Sequence, residues 1–252
     1  MADTASSLEP PQDVPSKSFL SRVIGVFIEP GETFEDIARK PGWIAPLVLL
    51  VLVAFATVET MLMKIGASRL ALHSIQQSGR ASQMDPAQLS QIAERSAGVL
   101  RIVMPAGAVL GTPIFMLIVA GIGLLILNVF FGQKAKFKDV FSVTCYADMP
   151  SILGAVMAIA VLLFGDTGGF NPQSPAPTNP AYFMNPLETS HALIAVVGSL
   201  DFVVFWFLVL LAIGLSRVVQ RKVKSGTIFM TYLGFWALWV VAKVGLALIA
   251  GR

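Results

Sequence analysis

Charge is the scarcest ingredient of this chain. Asp, Glu, Lys and Arg make up 13% of its 252 residues, against roughly 25% in soluble proteins. Hydrophobic residues reach 55%, and a soluble domain of this length needs more polar surface than that leaves. The net charge of +3 is small, and the positive residues gather in short connecting segments. That distribution points to membrane topology rather than to nucleic-acid binding. A single cysteine, Cys145, excludes an internal disulfide and a cysteine-rich metal site. Its position in or beside an apolar stretch reads as a small buried thiol. The two histidines, His73 and His191, come without a second ligand at metal-site spacing. There is no G-x-x-x-x-G-K-[ST] loop, no G-x-S-x-G elbow and no H-E-x-x-H helix. The expectation is a protein with no catalytic centre, no metal and no cofactor.

What the chain has is long apolar runs. Five stretches, roughly Trp43–Met63, Met104–Phe130, Phe141–Phe164, Ala192–Leu215 and Thr227–Ala250, are continuously apolar. Each reaches the ~20 residues that a helix needs to cross the hydrocarbon layer. Only helices and closed barrels satisfy their backbone groups in lipid, and unbroken runs favour helices. The predicted fold class is all-α: a polytopic transmembrane helical bundle of five spans. The first run begins only after residue 42, too late for a signal-peptide core, so Ala54-Phe55-Ala56 is not expected to be cleaved.

Three regions follow. Residues 1–16 read as a disordered tail rich in proline, serine and acidic groups. Residues 17–42 read as an amphipathic cytoplasmic segment, and 43–252 as the five-helix membrane domain. Within the second region, Phe19, Leu20, Val23, Ile24, Val26 and Phe27 recur at helical spacing, with Ser18, Ser21, Arg22 and Gly25 on the other face. Such a segment lies in the headgroup plane or packs on the bundle. Pro30-Gly31 is expected to break it, and Thr33 with Asp36 to cap a second short helix. Asp85-Pro86 marks a further helix start. Gly107 and Gly111 form a G-x-x-x-G pair suited to close helix packing, and Pro105 and Pro113 predict a kink or an irregular start. Residues 165–190 carry five prolines and no lysine or arginine, and read as an extended external loop.

Lysine and arginine counts give an orientation. The loops at 132–140 and 216–226 hold Lys134, Lys136, Lys138, Arg217, Arg221, Lys222 and Lys224, whereas the proline-rich loop holds none. The N-terminus is therefore expected inside. Ionisable residues within spans are costly and informative. Asp201 lies roughly 14 Å and Lys243 roughly 10 Å from the outer face at about 1.5 Å per residue, so they are expected to form an intramembrane ion pair, structural or lining a path. Asp148 lies about 10 Å from the inner side on the same scale. Glu59 and Arg101 fall near the outer boundary.

The segments Phe27–Pro46 (F-I-E-P-G-E-T-F-E-D-I-A-R-K-P-G-W-I-A-P), Phe137–Pro150 (F-K-D-V-F-S-V-T-C-Y-A-D-M-P) and Ser199–Leu215 (S-L-D-F-V-V-F-W-F-L-V-L-L-A-I-G-L) together resemble the Ypt-interacting protein (Yip) domain family, in its bacterial branch. The resemblance covers about Phe19–Ala250. It implies five membrane helices and a cytoplasmic N-terminus; eukaryotic members have Rab-type GTPase partners. Tyr146 and Pro150 match the family's tyrosine-to-proline pattern. Trp43 to Pro46 stand where eukaryotic members carry an acidic D-L-Y-G-P segment, which removes the polar motif. The resulting expectation is a non-enzymatic, multi-pass protein of a bacterial inner membrane, acting in membrane organisation or partner binding. Its partners are the lipid bilayer, a membrane or cytoplasmic protein, or a second copy, and no nucleic acid. The alternative is a small-solute permease or channel component with Asp201, Lys243 and Asp148 along its path.

Overall fold

The computed structural model describes residues 16–77, 84–165, 170–185 and 188–250, and among these there is no β-strand. Apart from Ser16, the tail expected over 1–16 lies outside the described residues. Ten α-helices follow in order: α1 (Phe19–Ile28), α2 (Pro30–Arg39), α3 (Ile44–Lys64), α4 (Ala67–Gln77), α5 (Pro86–Leu124), α6 (Phe137–Ala147), α7 (Pro150–Phe164), α8 (His191–Val197), α9 (Phe202–Val218) and α10 (Ser225–Ala250). Among the described residues, four units are long and apolar enough to cross a membrane: α3, α5 with its π-helical end Leu125–Phe130, α6 with α7, and α10. The pair α8 and α9, bent by 43°, reaches that length only when taken together and makes a fifth if the two are counted as one span.

The start of the chain departs from the expected capping. Ser18 caps α1, its side chain accepting from the Ser21 N–H at 3.2 Å. Only Glu29 then separates α1 from α2, and Pro30 opens α2 rather than breaking a helix. Proline fits the first helical turn because its missing N–H is unpaired there anyway. Thr33 and Asp36 are therefore interior, buried residues of α2 and not a capping box. Gly25 lets α1 and α2 approach closely: a Cβ at this position would collide with the Thr33 hydroxyl.

The second span merges with the helix that Asp85 caps, its side chain accepting from the Ala87 N–H at 3.4 Å. Pro105 and Pro113 are both carried inside the continuous α5. The third span is broken at Asp148-Met149, between α6 and α7. Pro150 has no N–H to donate, and the chain turns through tighter bonds, Met149 N to Tyr146 O at 3.3 Å and Ser151 N to Asp148 O at 3.0 Å.

The fourth apolar run is also broken, at Gly198–Asp201, where the apolar pattern alone predicts a continuous helix. Residues 170–185 reach this break instead of forming an extended loop in solvent. Asn171, Ser174, Ala176, Asn179 and Ala181 are buried, and the Phe202 N–H donates to the Thr178 carbonyl at 3.0 Å. The core lies at the end of the bundle that carries α1 and α2. It joins Phe34 and Ile37 of α2 with Val143 and Tyr146 of α6 and Leu211 and Leu215 of α9. Gly214 permits this contact, since a Cβ there would strike Val143 and Phe34.

Candidate functional site

Two features converge on the break in the third span. The first is the docking of the α1–α2 arm. Arg22 turns into the bundle and is 7% exposed. Its Nε donates to Asp36 Oδ2 at 2.8 Å, and Nη2 reaches the Asp36 carbonyl at 3.5 Å. The Lys17 backbone N–H adds a bond to the same carboxylate oxygen at 3.3 Å. The guanidinium also lies over the Tyr146 ring, 6.0 Å from its centroid, and Phe19 packs on that ring at 6.4 Å. Trp43, just before α3, meets Phe141 of α6 edge-on at 5.5 Å, and Pro46 is buried in the first turn of α3. Of the four motif residues, Tyr146 thus receives the arm, Pro150 restarts the helix, and Trp43 and Pro46 fix the entry to the first span.

The second feature is a cleft of about 480 Å³ beside the same break. Its lining includes Leu50, Thr57, Gly107, Gly111, Asp148 and Ser151. Helix α3 packs on both α5 and α7, while α5 and α7 scarcely meet, which leaves the gap. Gly107 and Gly111 were expected to support close packing. Instead, a Cβ at either would meet nothing within 4 Å, so both form the open wall of the cleft. Ser151 Oγ donates to Asp148 Oδ2 at 3.0 Å.

Asp201 and Lys243 do not form the expected ion pair. Asp201 sits at the break and caps α9, accepting from the Val203 N–H at 2.9 Å. Its other oxygen accepts from Thr178 Oγ1 at 2.6 Å and Asn179 Nδ2 at 3.0 Å. Lys243 Nζ donates to Ser199 Oγ at 3.1 Å. A straight helix would bring the two to similar depths, whereas the 43° bend sets the carboxylate against Thr178 and Asn179 of the returning segment. Glu59 is half-buried on α3 and Arg101 exposed on α5, and neither makes an ion pair among the described residues.

Basic residues surround the arm. Arg217 and Arg221 both reach Glu35 of α2, at 3.4 and 3.3 Å, and Lys222 and Lys224 are exposed beside them. No group of three His, Cys, Asp or Glu that could hold a metal occurs among the described residues. His73 lies on α4 beside Phe170 and Pro172, where burial lowers its pKa. The buried Arg22–Asp36 bond was not foreseen. Its partners are 14 residues apart, and periodicity placed Arg22 on the face opposite the apolar residues. No curated protein and no solved structure matches the chain. The model of the Yip1 domain matches residues 24–246, a stretch that begins within α1, just after Arg22, and includes α2, the break and the cleft, and the chain belongs to the Yip1 domain family.

Proposed function

We propose that this integral membrane protein is a non-enzymatic membrane-surface organiser. In this reading its α1–α2 arm and basic loops face the cytoplasm of a bacterial inner membrane and bind anionic lipid. The observation that carries the reading is the outer face of α1, whose inner face is held by Arg22 and Val26. Arg22 is buried and paired, while Leu20, Ile24 and Ile28, one turn apart, are 65%, 49% and 71% exposed. An apolar stripe of this kind is stabilised by insertion at the headgroup boundary. Exposed Arg39, Lys40, Lys134, Lys136, Lys222 and Lys224 supply the charge complementarity.

The test uses the full chain in liposomes, with Ile28→Cys carrying an environment-sensitive fluorophore. Nitroxide-labelled lipids with a shallow label should quench it, and more strongly in anionic than in zwitterionic membranes. A probe left unquenched by every lipid label overturns the interfacial reading. For a permease the supporting observation is the cleft at Asp148. Asp201 and Lys243 do not line that cleft, and each is tied to partners elsewhere. The arm therefore carries the first reading.

A further inference from the structure

The cleft beside the third-span break has a chemical bias that neither the arm nor the fold requires. Four polar side chains stand in its lining: Thr57, Thr112, Asp148 and Ser151. Each hydroxyl has already donated its proton within the protein. Thr57 Oγ1 donates to the Val53 carbonyl at 2.9 Å, Thr112 Oγ1 to the Ala108 carbonyl at 2.9 Å, and Ser151 Oγ to Asp148 at 3.0 Å. What remains for an occupant is lone pairs only. Asp148 Oδ1 has no hydrogen-bond or ion-pair partner among the described residues, and the carboxylate has no cation within bonding reach. A carboxylate within a membrane span is costly unless paired. The remaining walls are apolar, with Leu50, Val53, Phe115 and Met116 among them. The exposed Gly107 leaves one side open, where no side chain blocks entry.

We propose that this cleft binds the primary ammonium group of an amphiphile, with Asp148 as its counter-ion and the threonine and serine oxygens as further acceptors. An ammonium carries three N–H donors and one positive charge, which the acceptor-only lining matches. An anion finds no donor there. A trimethylammonium group has the charge and no N–H to give. The alkyl part lies against the apolar walls and leaves through the glycine side. Either an amine-headed phospholipid or a free alkylammonium ion has this chemistry.

Native mass spectrometry of the full chain, released from detergent micelles doped with one lipid at a time, tests the proposal. Phosphatidylethanolamine should be retained about tenfold better than phosphatidylcholine or phosphatidylglycerol, the scale of one charge-assisted hydrogen bond. Asp148→Asn should remove that preference. Gly111→Leu should also remove it by filling the cleft while leaving the carboxylate in place, and it keeps the test decisive if Asp148→Asn misfolds. A second arm titrates decylammonium against decanol, with bound adduct as the readout. Retained phosphatidylethanolamine identifies a lipid headgroup as the source. Decylammonium binding without that retention identifies a free amphiphilic cation. Equal retention by wild type and both variants, or a preference for phosphatidylglycerol, overturns the proposal.

Discussion

Arg22 and Asp36 show how one buried pair sets the pose of a whole arm. The Arg22 side chain is 9% exposed and that of Asp36 5%. Leaving a buried charge without its partner costs up to about 3–5 kcal/mol, whereas removing both costs much less; Asp36 keeps Arg39 at 3.9 Å when Arg22 is lost, so that variant falls below the upper end. Arg22→Met or Asp36→Asn should each lower the thermal stability of the full chain in detergent, and the double variant should recover part of the loss. Purely additive losses would show that the two do not couple. Asp201 and Lys243 should behave in the opposite way. Asp201→Ala removes an N-cap and two side-chain bonds, of which the cap alone is worth about 0.5–2 kcal/mol. Lys243→Ala removes one bond to a serine, so its effect should be smaller and the two should add. Recovery in that double variant would restore the ion pair this structure lacks. The capping role was legible: an aspartate directly before an apolar run is a helix-start signal. The continuous hydropathy of Ala192–Leu215 concealed it, because a break costs no apolar residues.

At the scale of elements, the apolar runs named the spans well and their interiors poorly. Length and hydropathy locate α3, α5 and α10, since crossing a membrane demands an uninterrupted apolar helix. They do not reveal where a span bends, because the compensating bonds come from distant residues. The 170–185 segment is the clearest instance. Thr178 and Asn179 lie more than 20 residues before Asp201, and nothing local to either stretch announces the contact. The amphipathic pattern of α1 misled in a more instructive way. Periodicity set Arg22 on the face opposite the apolar residues, but Arg22 faces inward beside Val26 while Leu20, Ile24 and Ile28 face outward. Ile24→Asp separates the two roles of this helix. Because Ile24 is 49% exposed and outside the core, the change should leave the detergent stability within about 0.5 kcal/mol. In liposomes it should abolish the quenching of the fluorophore at residue 28. A large loss of stability in detergent would instead mean that the stripe packs within the protein.

For the whole molecule, the strongest unspent constraint is the asymmetry of charge between its two ends. The arm, the segment before α6 and the turn between α9 and α10 stand together, as the Trp43–Phe141 contact and the Glu35–Arg217 bond require. That end carries Lys134, Lys136 and Lys138 with Arg217, Arg221, Lys222 and Lys224. The opposite end carries α4, the 170–185 segment and α8, and residues 165–190 contain no lysine or arginine. Short basic loops resist translocation, which favours the arm end as the cytoplasmic one. Cysteine labelling in intact cells with a permeabilised outer membrane decides the matter, and the native Cys145 is fully buried and does not interfere. Ser174 lies on the lysine-free segment but is 3% exposed, so an introduced thiol there would be hidden whichever way the chain faces. Glu188 is exposed on the same side, and Lys222 is exposed at the arm end. An impermeant thiol reagent should label Glu188→Cys in intact cells and reach Lys222→Cys only after lysis. The reverse pattern would place the arm outside. It would remove the arm from the cytoplasmic leaflet whose lipids it is proposed to bind, while leaving the bundle, the arm's buried ion pair and the cleft at Asp148 unchanged.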